Sequence, residues 1–528
     1  MGSTTNANFY ALVEQRFPAD LDSTCIETAD GLTYSWGDLH HASGRIANWL
    51  ASLELPAGAR VAVQVEKSPE CLMLYLATLR AGLVYLPLNT AYQKSEIEYF
   101  LADAQPDVVV CTPARLGEIA PLAKRAKCRQ VHTLGEAREG SLLQSAAPHS
   151  DAFETRWSQP EDLAAILYTS GTTGRSKGAM LSHANLASNA LTLDEFWGFA
   201  AERAAGRKDV LLHALPLFHV HGLFVAAHAA LLAGAKMLLL AKFDVAQVLE
   251  RLPRSTVFMG VPTYYTRLLA EPSFNRARCA NMRLFISGSA PLLAETHRDF
   301  EQRTGHRILE RYGMSETVML VSNPYFAEQG ERIAGTVGIP LPGVCVRVVR
   351  DDGTPCPGGE IGQVQVRGPN VFSGYWRMPE KTQEEFTADG WFRTGDVGHF
   401  GGTGVPDSYL TLIGRSKDLI ISGGYNVYPK EIEGYIDEMP NVVESAVIGL
   451  PHPDFGEAVA AVVVTRRAGA LDATAVIDGL KGRIANYKVP KRVFVVEDLP
   501  RNTMGKVQKN VLRDRYKSTF TPPSRPAA

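Results

Sequence analysis

The sequence predicts an α/β protein: a large N-terminal domain of helix-covered sheets that includes a β subdomain, and a small mobile α+β C-terminal domain. Three observations support this prediction. The 528 residues exceed the roughly 250–300 at which a single hydrophobic core stops growing. Helix-period and strand-period segments alternate from about residue 39, a succession typical of parallel sheets covered by helices. From about residue 335, glycine and proline separate short strands, which is typical of antiparallel sheet.

The alternation defines the elements of the predicted N-terminal domain, residues 1–414. Its first half has predicted strands at 60–65, 85–88 and 107–111, with helices at 69–79 and 96–104. Strands follow at 210–215, 237–241, 257–261 and 284–287. The β subdomain, about 335–413, has strands at 344–349 and 361–366. The C-terminal domain, 415–528, has strands at 445–449, 459–465 and 493–496 and a helix at 475–484.

Composition and charge exclude several classes of function. Lysine and arginine number 54 against 56 acidic residues, a formal net charge of −2, so no overall positive field favours nucleic acid or stable membrane association. Seven cysteines without a C-x-x-C pair argue against a disulfide framework or zinc ribbon and favour a reducing compartment. No export or lipidation signal opens the chain, so we expect a cytoplasmic protein. The apolar stretch 222–241 is interrupted by His228 and Lys236, which favours a buried helix and strand over a membrane span.

The most informative segment, residues 168–178 (YTSGTTGRSKG), directly follows an apolar strand. Its glycines let backbone amides approach an anion, its hydroxyls add donors, and its lysine supplies positive charge. The segment is therefore predicted to cradle a triphosphate through Thr169, Ser170, Gly171, Thr172, Thr173, Gly174 and Lys177. It is not a Walker A loop, because Lys177 is preceded by Ser176 and followed by Gly178. The alternative is a flexible polar surface turn.

This segment resembles the phosphate-binding signature of the adenylate-forming superfamily of acyl-CoA synthetases, luciferases and peptide-synthetase adenylation domains. Four further motifs of that family follow in the expected order: RYGMSET at 311–317, WFRTGD at 391–396, GRSKD at 414–418 and NTMGK at 502–506. The resemblance implies activation of a carboxylic acid by ATP and transfer of the acyl group to coenzyme A, with Mg²⁺ as cofactor. Ser315 stands where many relatives have threonine, and it retains the hydroxyl.

The implied reaction brings two anions together, so the site must neutralise charge with a divalent cation and fixed basic groups. Glu316 is the candidate Mg²⁺ ligand, because hard cations prefer carboxylate oxygens; a surface glutamate is the alternative. The resemblance makes Lys506, Thr169 and Glu316 catalytic, and it places adenine on Tyr312 and the ribose hydroxyls on Asp396. It extends the nucleotide site to Ser289, Arg311, Gly313, Met314, Ser315 and Arg415.

The same resemblance implies a moving C-terminal lid. Lys506 serves adenylation and then leaves, because the lid rotates about a hinge at Lys417. The rotation presents Gly423, Gly424 and Tyr425 to the pantetheine tunnel, so that one site runs two half-reactions. Acetylation of Lys506 would remove the charge that adenylation needs, which makes a lysine acetyltransferase a candidate partner.

The acid must be inferred from other segments. Arg267 follows a strand end on a predicted helix and shares a face with Tyr264. A guanidinium in a pocket wall is costly to desolvate without a partner, and a second carboxylate of the substrate would supply one. Arg267 therefore predicts a short dicarboxylic acid, with an exposed helix arginine as the alternative. His219 and His221 form an H-x-H pair, but no further ligand spacing completes a metal site.

Segments 215–222, 261–267, 287–292, 311–317 and 334–338 together resemble the malonyl-CoA synthetases. This resemblance implies malonate as substrate, and methylmalonate as a second, because one methyl group usually changes binding by only ~1–3 kcal/mol. It gives the distal carboxylate to Arg267 and the acyl pocket to His219, Ser287, Gly288 and Met314, although His219 could equally pack in the core. The alternatives are a ligase for another short acid, an enzyme that loads a carrier protein, and a relative that only binds nucleotide.

Overall fold

The computed structural model describes residues 5–169, 176–422, 425–466, 471–502 and 505–520. The strands up to residue 182 are β1 (Thr24–Thr28), β2 (Thr33–Ser35), β3 (Arg60–Gln64), β4 (Val84–Pro87), β5 (Val108–Cys111), β6 (Gln130–Thr133), β7 (Leu163–Thr169) and β8 (Lys177–Ser182). The next are β9 (Val210–His213), β10 (Lys236–Leu239), β11 (Val257–Gly260), β12 (Leu284–Ser287), β13 (Leu309–Tyr312), β14 (Val321–Ser322) and β15 (Ile339–Pro340).

The remaining strands are β16 (Cys345–Val349), β17 (Gly362–Arg367), β18 (Phe392–Phe400), β19 (Leu410–Arg415), β20 (Ile420–Ser422), β21 (Tyr425–Val427), β22 (Val442–His452), β23 (Gly456–Thr465) and β24 (Arg492–Val496). The first helices are α1 (Phe9–Glu14), α2 (Trp36–Ser52), α3 (Pro69–Arg80), α4 (Lys94–Ala104), α5 (Leu116–Arg125), α6 (Ser141–Ala146), α7 (His183–Phe196) and α8 (Phe199–Ala204). The others are α9 (His228–Ala233), α10 (Val245–Arg251), α11 (Pro262–Leu269), α12 (Ala294–Thr304), α13 (Pro379–Glu385), α14 (Pro429–Asp437), α15 (Ala473–Leu480) and α16 (Lys509–Tyr516).

Two large sheets build the N-terminal part. One has the order β6-β5-β3-β4-β7-β8 and is parallel up to β7, which pairs antiparallel with β8. The other has the order β15-β14-β13-β12-β11-β9-β10-β1-β2 and is parallel from β13 to β1. Side chains of both sheets share one hydrophobic core, including Val63, Tyr85, Leu211, Met259 and Ile286. This arrangement places the carboxyl ends of β11, β12 and β13 side by side.

Local sequence signals explain where the helices begin. Ser35 and Asp38 form a reciprocal capping box at the start of α2, which satisfies backbone donors that a helix leaves open. Ser68 caps α3, and Pro69 occupies its first turn, where a missing N–H has no consequence. The apolar stretch 222–241 forms a short π-helix (His221–Ala227), α9 and β10. In the described part of the chain, no helix is both long and apolar enough to cross a membrane.

The later part of the chain forms two smaller sheets. Strands β16 to β19 make a four-stranded antiparallel sheet. The C-terminal sheet has the order β21-β20-β23-β22, with β24 parallel to β23. The predicted α/β class, with a large N-terminal and a small C-terminal domain, is confirmed. The domain boundary at 414/415 stays a prediction.

Candidate active site

Most of the predicted site residues lie where strands end. Thr169 is the last residue of β7 and pairs in register with Lys177, the first residue of β8. The loop that joins them includes the predicted phosphate ligands Ser170, Gly171, Thr172, Thr173 and Gly174, which lie outside the described residues, as do Gly423 and Gly424.

Lys177 and Glu316 are joined through one aromatic ring. Lys177 Nζ lies 3.2 Å from Glu385 Oε1 and 4.2 Å from the centre of the Tyr375 ring. The Tyr375 hydroxyl donates to Glu316 Oε1 at 3.0 Å. Burial raises the pKa of Glu316, although this hydrogen bond and the charges of Arg415 and Lys177 oppose the shift. Glu316 is therefore a buried carboxylate that a cation would stabilise.

The groups around Glu316 suit a Mg²⁺ ion that is held jointly by the protein and by substrate phosphates. Among the described residues, no group of three or more histidine, cysteine, aspartate or glutamate side chains could hold a metal. Mg²⁺ is usually bound through one or two carboxylates together with substrate phosphates and water. A single buried carboxylate close to Lys177 suits that pattern.

Tyr312, Asp396 and Arg415 form a second polar group. The Tyr312 hydroxyl donates to Asp396 Oδ2, and Arg415 Nε lies 2.7 Å from Asp396 Oδ1. Pairing of β18 with β19 sets Asp396 opposite Arg415. Asp396, followed by Tyr312 and Glu316, raises the pKa of Arg415 against the effect of burial. The structure brings these side chains together as the sequence predicts, and their contacts with adenine and ribose stay predictions.

Arg311 is a buried cation to which the described part of the chain offers no acidic partner. It is 4% exposed, and its Nε and Nη2 atoms have no hydrogen-bond partner among the described residues. Burial lowers its pKa to about 9. The backbone of Gly288 lies against the guanidinium, so closely that a Cβ there would overlap it. Because an unpaired buried charge is strongly unfavourable, the geometry leaves a place for an anion from outside the chain.

Neutral polar groups surround this guanidinium. The His221 backbone N–H donates to His219 Nδ1 at 3.2 Å, and Ser289 Oγ lies 3.3 Å from His221 Nδ1. Burial, followed by the charge of Arg311, lowers the pKa of His219 to about 4 and that of His221 well below its ordinary value. Because both pKa values are lowered, both histidines are neutral near pH 7. Ser289 has φ of 71°, a left-handed conformation that is unfavourable for serine.

The prediction of a buried guanidinium at Arg267 is wrong. The buried residues of α11 are Tyr265 and Leu268, so helical periodicity turns Arg267 outward. It is exposed and lines an open surface depression together with Phe243 and Glu250. Arg267 is thus the exposed helix arginine that the sequence left as the alternative.

The remaining acyl-pocket residues differ in their surroundings. Ser287 is buried, and its Oγ has no partner among the described residues. It pairs in register with Glu310, so the next residue, Gly288, comes level with Arg311. Met314 is partly buried against the main core. In the loop that contains it, Gly313 lies against the carbonyl oxygen of Val318, and Ser315 is partly exposed.

The C-terminal domain brings Lys506 to this site. A Cβ on the neighbouring Gly505 would lie 3.1 Å from Thr263 Oγ1 at the start of α11. Lys506 as a whole is exposed, yet desolvation of its ammonium end, followed by the nearby Arg415, lowers its pKa. Desolvation, followed by Arg415, also lowers the pKa of Lys417 to about 8.

Tyr425 occupies a different environment from Lys506. It is 59% exposed and stacks on Tyr487, with ring centres 4.6 Å apart. The described structure therefore shows Lys506 in electrostatic contact with the site and Tyr425 in solvent.

Two contacts of the site escape sequence analysis. Tyr375 and Glu385 lie outside the five motifs, and only the fold brings them to Lys177. The sequence does indicate that Arg311 needs a partner, because it is a charged residue near the end of a buried strand. Its position next to Tyr312, in a motif that the resemblance gives to the nucleotide, favours the nucleotide as that partner.

Comparison with known proteins identifies the family. Residues 13–376 match the model of the AMP-binding enzymes, and residues 431–506 match that of the AMP-binding enzyme C-terminal domain. The chain belongs to the AMP-binding enzyme family. Malonate–CoA ligase of Arabidopsis thaliana is 34% identical, over 92% of this chain and 85% of that protein. Mitochondrial malonate–CoA ligase ACSF3 of Mus musculus is 37% identical, over 84% and 79%.

A solved relative shows the same domain arrangement. ATP-bound MatB from Rhodopseudomonas palustris is 54% identical, covering 98% of this chain and 100% of its own, with a TM-score of 0.93. The apo form of MatB gives a TM-score of 0.82 at the same 54% identity. The predicted resemblance to adenylate-forming acid–CoA ligases is confirmed, and the arrangement resembles the ATP-bound form more than the apo form.

Proposed function

We propose that this enzyme joins malonate to coenzyme A at the expense of ATP. The observation that carries the proposal is the buried Arg311 guanidinium, whose Nε and Nη2 have no partner among the described residues. A monocarboxylic acid would leave this charge unpaired, whereas the distal carboxylate of a short dicarboxylic acid would accept two hydrogen bonds from it. The malonate–CoA ligases among the relatives support the same choice of acid.

Methylmalonate is proposed as a second substrate. One additional methyl group changes binding by ~1–3 kcal/mol in a pocket that does not exclude it. The distal carboxylate of methylmalonate can make the same contact with Arg311, so the proposal requires measurable, weaker use of this acid.

In the first half-reaction, the near carboxylate of malonate attacks the α-phosphorus of ATP, forms malonyl-adenylate and releases pyrophosphate. Lys177 and Lys506 balance the negative charge of the reacting groups, and Arg311 holds the distal carboxylate so that the near one is aligned. Glu316 would hold Mg²⁺, which neutralises phosphate charge when bound. The Glu316 side chain is fixed for this role by the Tyr375 hydroxyl.

In the second half-reaction, the thiol of coenzyme A attacks the acyl carbon of the adenylate, forms malonyl-CoA and releases AMP. The exposed Tyr425 and the site-facing Lys506 are on the same C-terminal domain, so a rotation about Lys417 would exchange them. Removal of the Lys506 charge would then open the site to the thiol. We propose this exchange as the step between the two half-reactions.

A panel of acids tests the proposal. Purified enzyme is incubated with ATP, Mg²⁺, coenzyme A and either acetate, malonate, methylmalonate, succinate or octanoate, and each thioester is identified by mass. Malonyl-CoA as the main product supports the proposal, and preferential use of acetate or octanoate contradicts it. If adenylate forms without any thioester, the acceptor is a carrier protein. If pyrophosphate exchange is absent with every acid, the chain only binds nucleotide.

A further inference from the structure

Lys67 lies behind the loop that carries His219 and His221, and the proposed mechanism does not use it. It precedes Ser68, the N-cap of α3. Its Nζ atom lies 2.8 Å from His213 Nδ1 and 2.8 Å from the His213 backbone oxygen. Burial lowers the pKa of Lys67 well below its ordinary value. A lysine amine turned inward onto a histidine is an unusual arrangement that calls for a physical reason.

His213 in turn forms a hydrogen bond with the loop that carries His219 and His221. It is 1% exposed, and its Nε2 atom lies 2.8 Å from the carbonyl oxygen of Gly222. A carbonyl oxygen only accepts, so Nε2 carries the proton and Nδ1 accepts from Lys67. A directed chain of hydrogen bonds therefore runs from Lys67 through His213 to Gly222.

Gly222 closes the loop on itself. A Cβ at this position would overlap the carbonyl oxygen of Pro216, so the two ends of segment 216–222 touch. Gly222 also lies in the π-helix His221–Ala227, a rare conformation found often at functional sites. Lys67 and residues 216–218 line the same small cavity. The hydrogen-bonded chain therefore holds the base of the loop whose tip carries His219.

We infer that Lys67 is a positioning residue for the acyl pocket: through His213 it fixes segment 213–222, and thereby sets His219 and His221 beside Arg311. The inference rests on the proposed function, because it takes these histidines as part of the acyl pocket. Most contacts predicted for the nucleotide lie on β7, β8, β13, β18 and β19, which do not pair with β9, the strand that carries His213. Ser289 is the exception, because its hydroxyl lies beside His221. Loss of the Lys67 amine should therefore affect the acid and spare ATP.

The test compares Lys67→Met, His213→Leu and the double variant with the wild type. Methionine keeps the length of lysine and removes its donors. Lys236→Met is the matched control, because Lys236 is also a half-buried lysine, pairs with Glu27 at 2.6 Å and lies at the far end of the neighbouring strand β10. Malonyl-CoA formation is measured with malonate and ATP varied separately, and thermal melting confirms folding.

We expect Lys67→Met to raise the KM for malonate about tenfold, with the KM for ATP within about twofold of wild type. The melting temperature should fall only slightly, because two buried acceptors of His213 lose their donor while an apolar group replaces a buried amine, which offsets part of that cost. The double variant should show the KM for malonate of the worse single variant, since both residues act in one chain. Lys236→Met should match the wild type.

Three outcomes would overturn the inference: an unchanged KM for malonate in Lys67→Met, an equal rise in both KM values, or multiplicative effects in the double variant. If Lys67→Met does not fold, His213→Leu, which breaks the same chain of hydrogen bonds, takes its place, and the same two criteria on the KM values apply. Failure of the wild type to form malonyl-CoA would instead contradict the proposed function. The two failures are therefore distinguishable.

Discussion

The backbone of Gly288 lies directly against the guanidinium of Arg311, leaving no room for a Cβ at position 288. Parallel pairing of β12 with β13 fixes this approach, because neighbouring strand ends come level with one another. The glycine that directly follows β12 therefore allows a buried arginine side chain to lie at the carboxyl end of these strands.

Gly288→Ala should weaken use of the acid selectively. The added methyl group would push the guanidinium aside, and we expect the KM for malonate to rise about tenfold or more while the KM for ATP stays within about twofold. Steady-state malonyl-CoA formation measures both values. Gly434→Ala on α14 is the matched control, because nothing lies within 4 Å of its added Cβ, and it should behave as wild type. Equal KM values for malonate in the two variants would contradict the role of Gly288.

Arg311→Gln and Arg267→Gln should differ sharply. Removing one partner of a buried charged contact weakens binding by about 2–5 kcal/mol, so Arg311→Gln should lower kcat/KM for malonate about 100-fold or more. Arg267 is exposed, and its substitution should change that value less than about threefold. Competition between malonate and acetate in each variant gives the measurement. If Arg267→Gln is the more damaging change, the distal carboxylate belongs to Arg267.

Tyr375→Phe should shift the pH dependence of adenylation. The lost hydroxyl removes a hydrogen bond that lowers the pKa of Glu316, so the carboxylate would remain protonated to higher pH. Because the ionised form is needed to bind the cation, the acidic limb of the pyrophosphate-exchange profile should move to higher pH, and more Mg²⁺ should be needed. Tyr409→Phe, which loses a hydroxyl bonded to the backbone of Glu331 at 2.7 Å, is the control. An unmoved acidic limb would argue against this contact.

Lys506→Ala should separate the two half-reactions. Adenylation should slow about 100-fold or more, because a cation placed beside the reacting phosphate is lost, whereas malonyl-adenylate supplied from outside should still be converted to malonyl-CoA. Single-turnover assays of each half-reaction measure the two rates, with the exposed Lys481→Ala as control. Equal losses in both half-reactions would be evidence against the exchange of Lys506 for Tyr425.

Sequence analysis predicted the parts of the molecule that follow from periodicity. The helix predicted at 69–79 is observed as Pro69–Arg80, because its caps are local and its apolar residues surround it. The strand predicted at 284–287 coincides with Leu284–Ser287, a short apolar run between turn residues. These elements are determined by residues close to one another in the chain, so their bounds can be predicted from the sequence alone.

The two arginines show where such analysis fails. The burial of a side chain on a short helix depends on which residues of that helix meet the sheet, and in α11 these are Tyr265 and Leu268. Arg267 could not be distinguished from them by composition. The contact of Gly288 with Arg311 joins residues of two different strands, and only the register of the sheet determines it.

Glu310 links two loops near the site and should make stability depend on pH. Its carboxylate accepts from the N–H of Leu292 at 3.2 Å and of Gly335 at 3.3 Å. Burial nevertheless raises its pKa to about 7. A group whose pKa is higher in the folded state contributes stability that is fully present below the unfolded pKa and is lost as pH rises through the folded value.

The wild type should therefore lose stability relative to Glu310→Gln between about pH 4 and pH 8, by at most about 3 kcal/mol. The glutamine cannot ionise, so its own stability should lack this decline. Unfolding in urea is followed with a probe in the N-terminal domain, and the midpoints of both proteins are compared at pH 5, 6, 7 and 8. For Glu328→Gln, which changes an exposed residue, the midpoint should vary with pH as it does in the wild type. Parallel curves for Glu310→Gln as well would mean that Glu310 is ionised throughout, stabilised by the two backbone N–H groups that it accepts from.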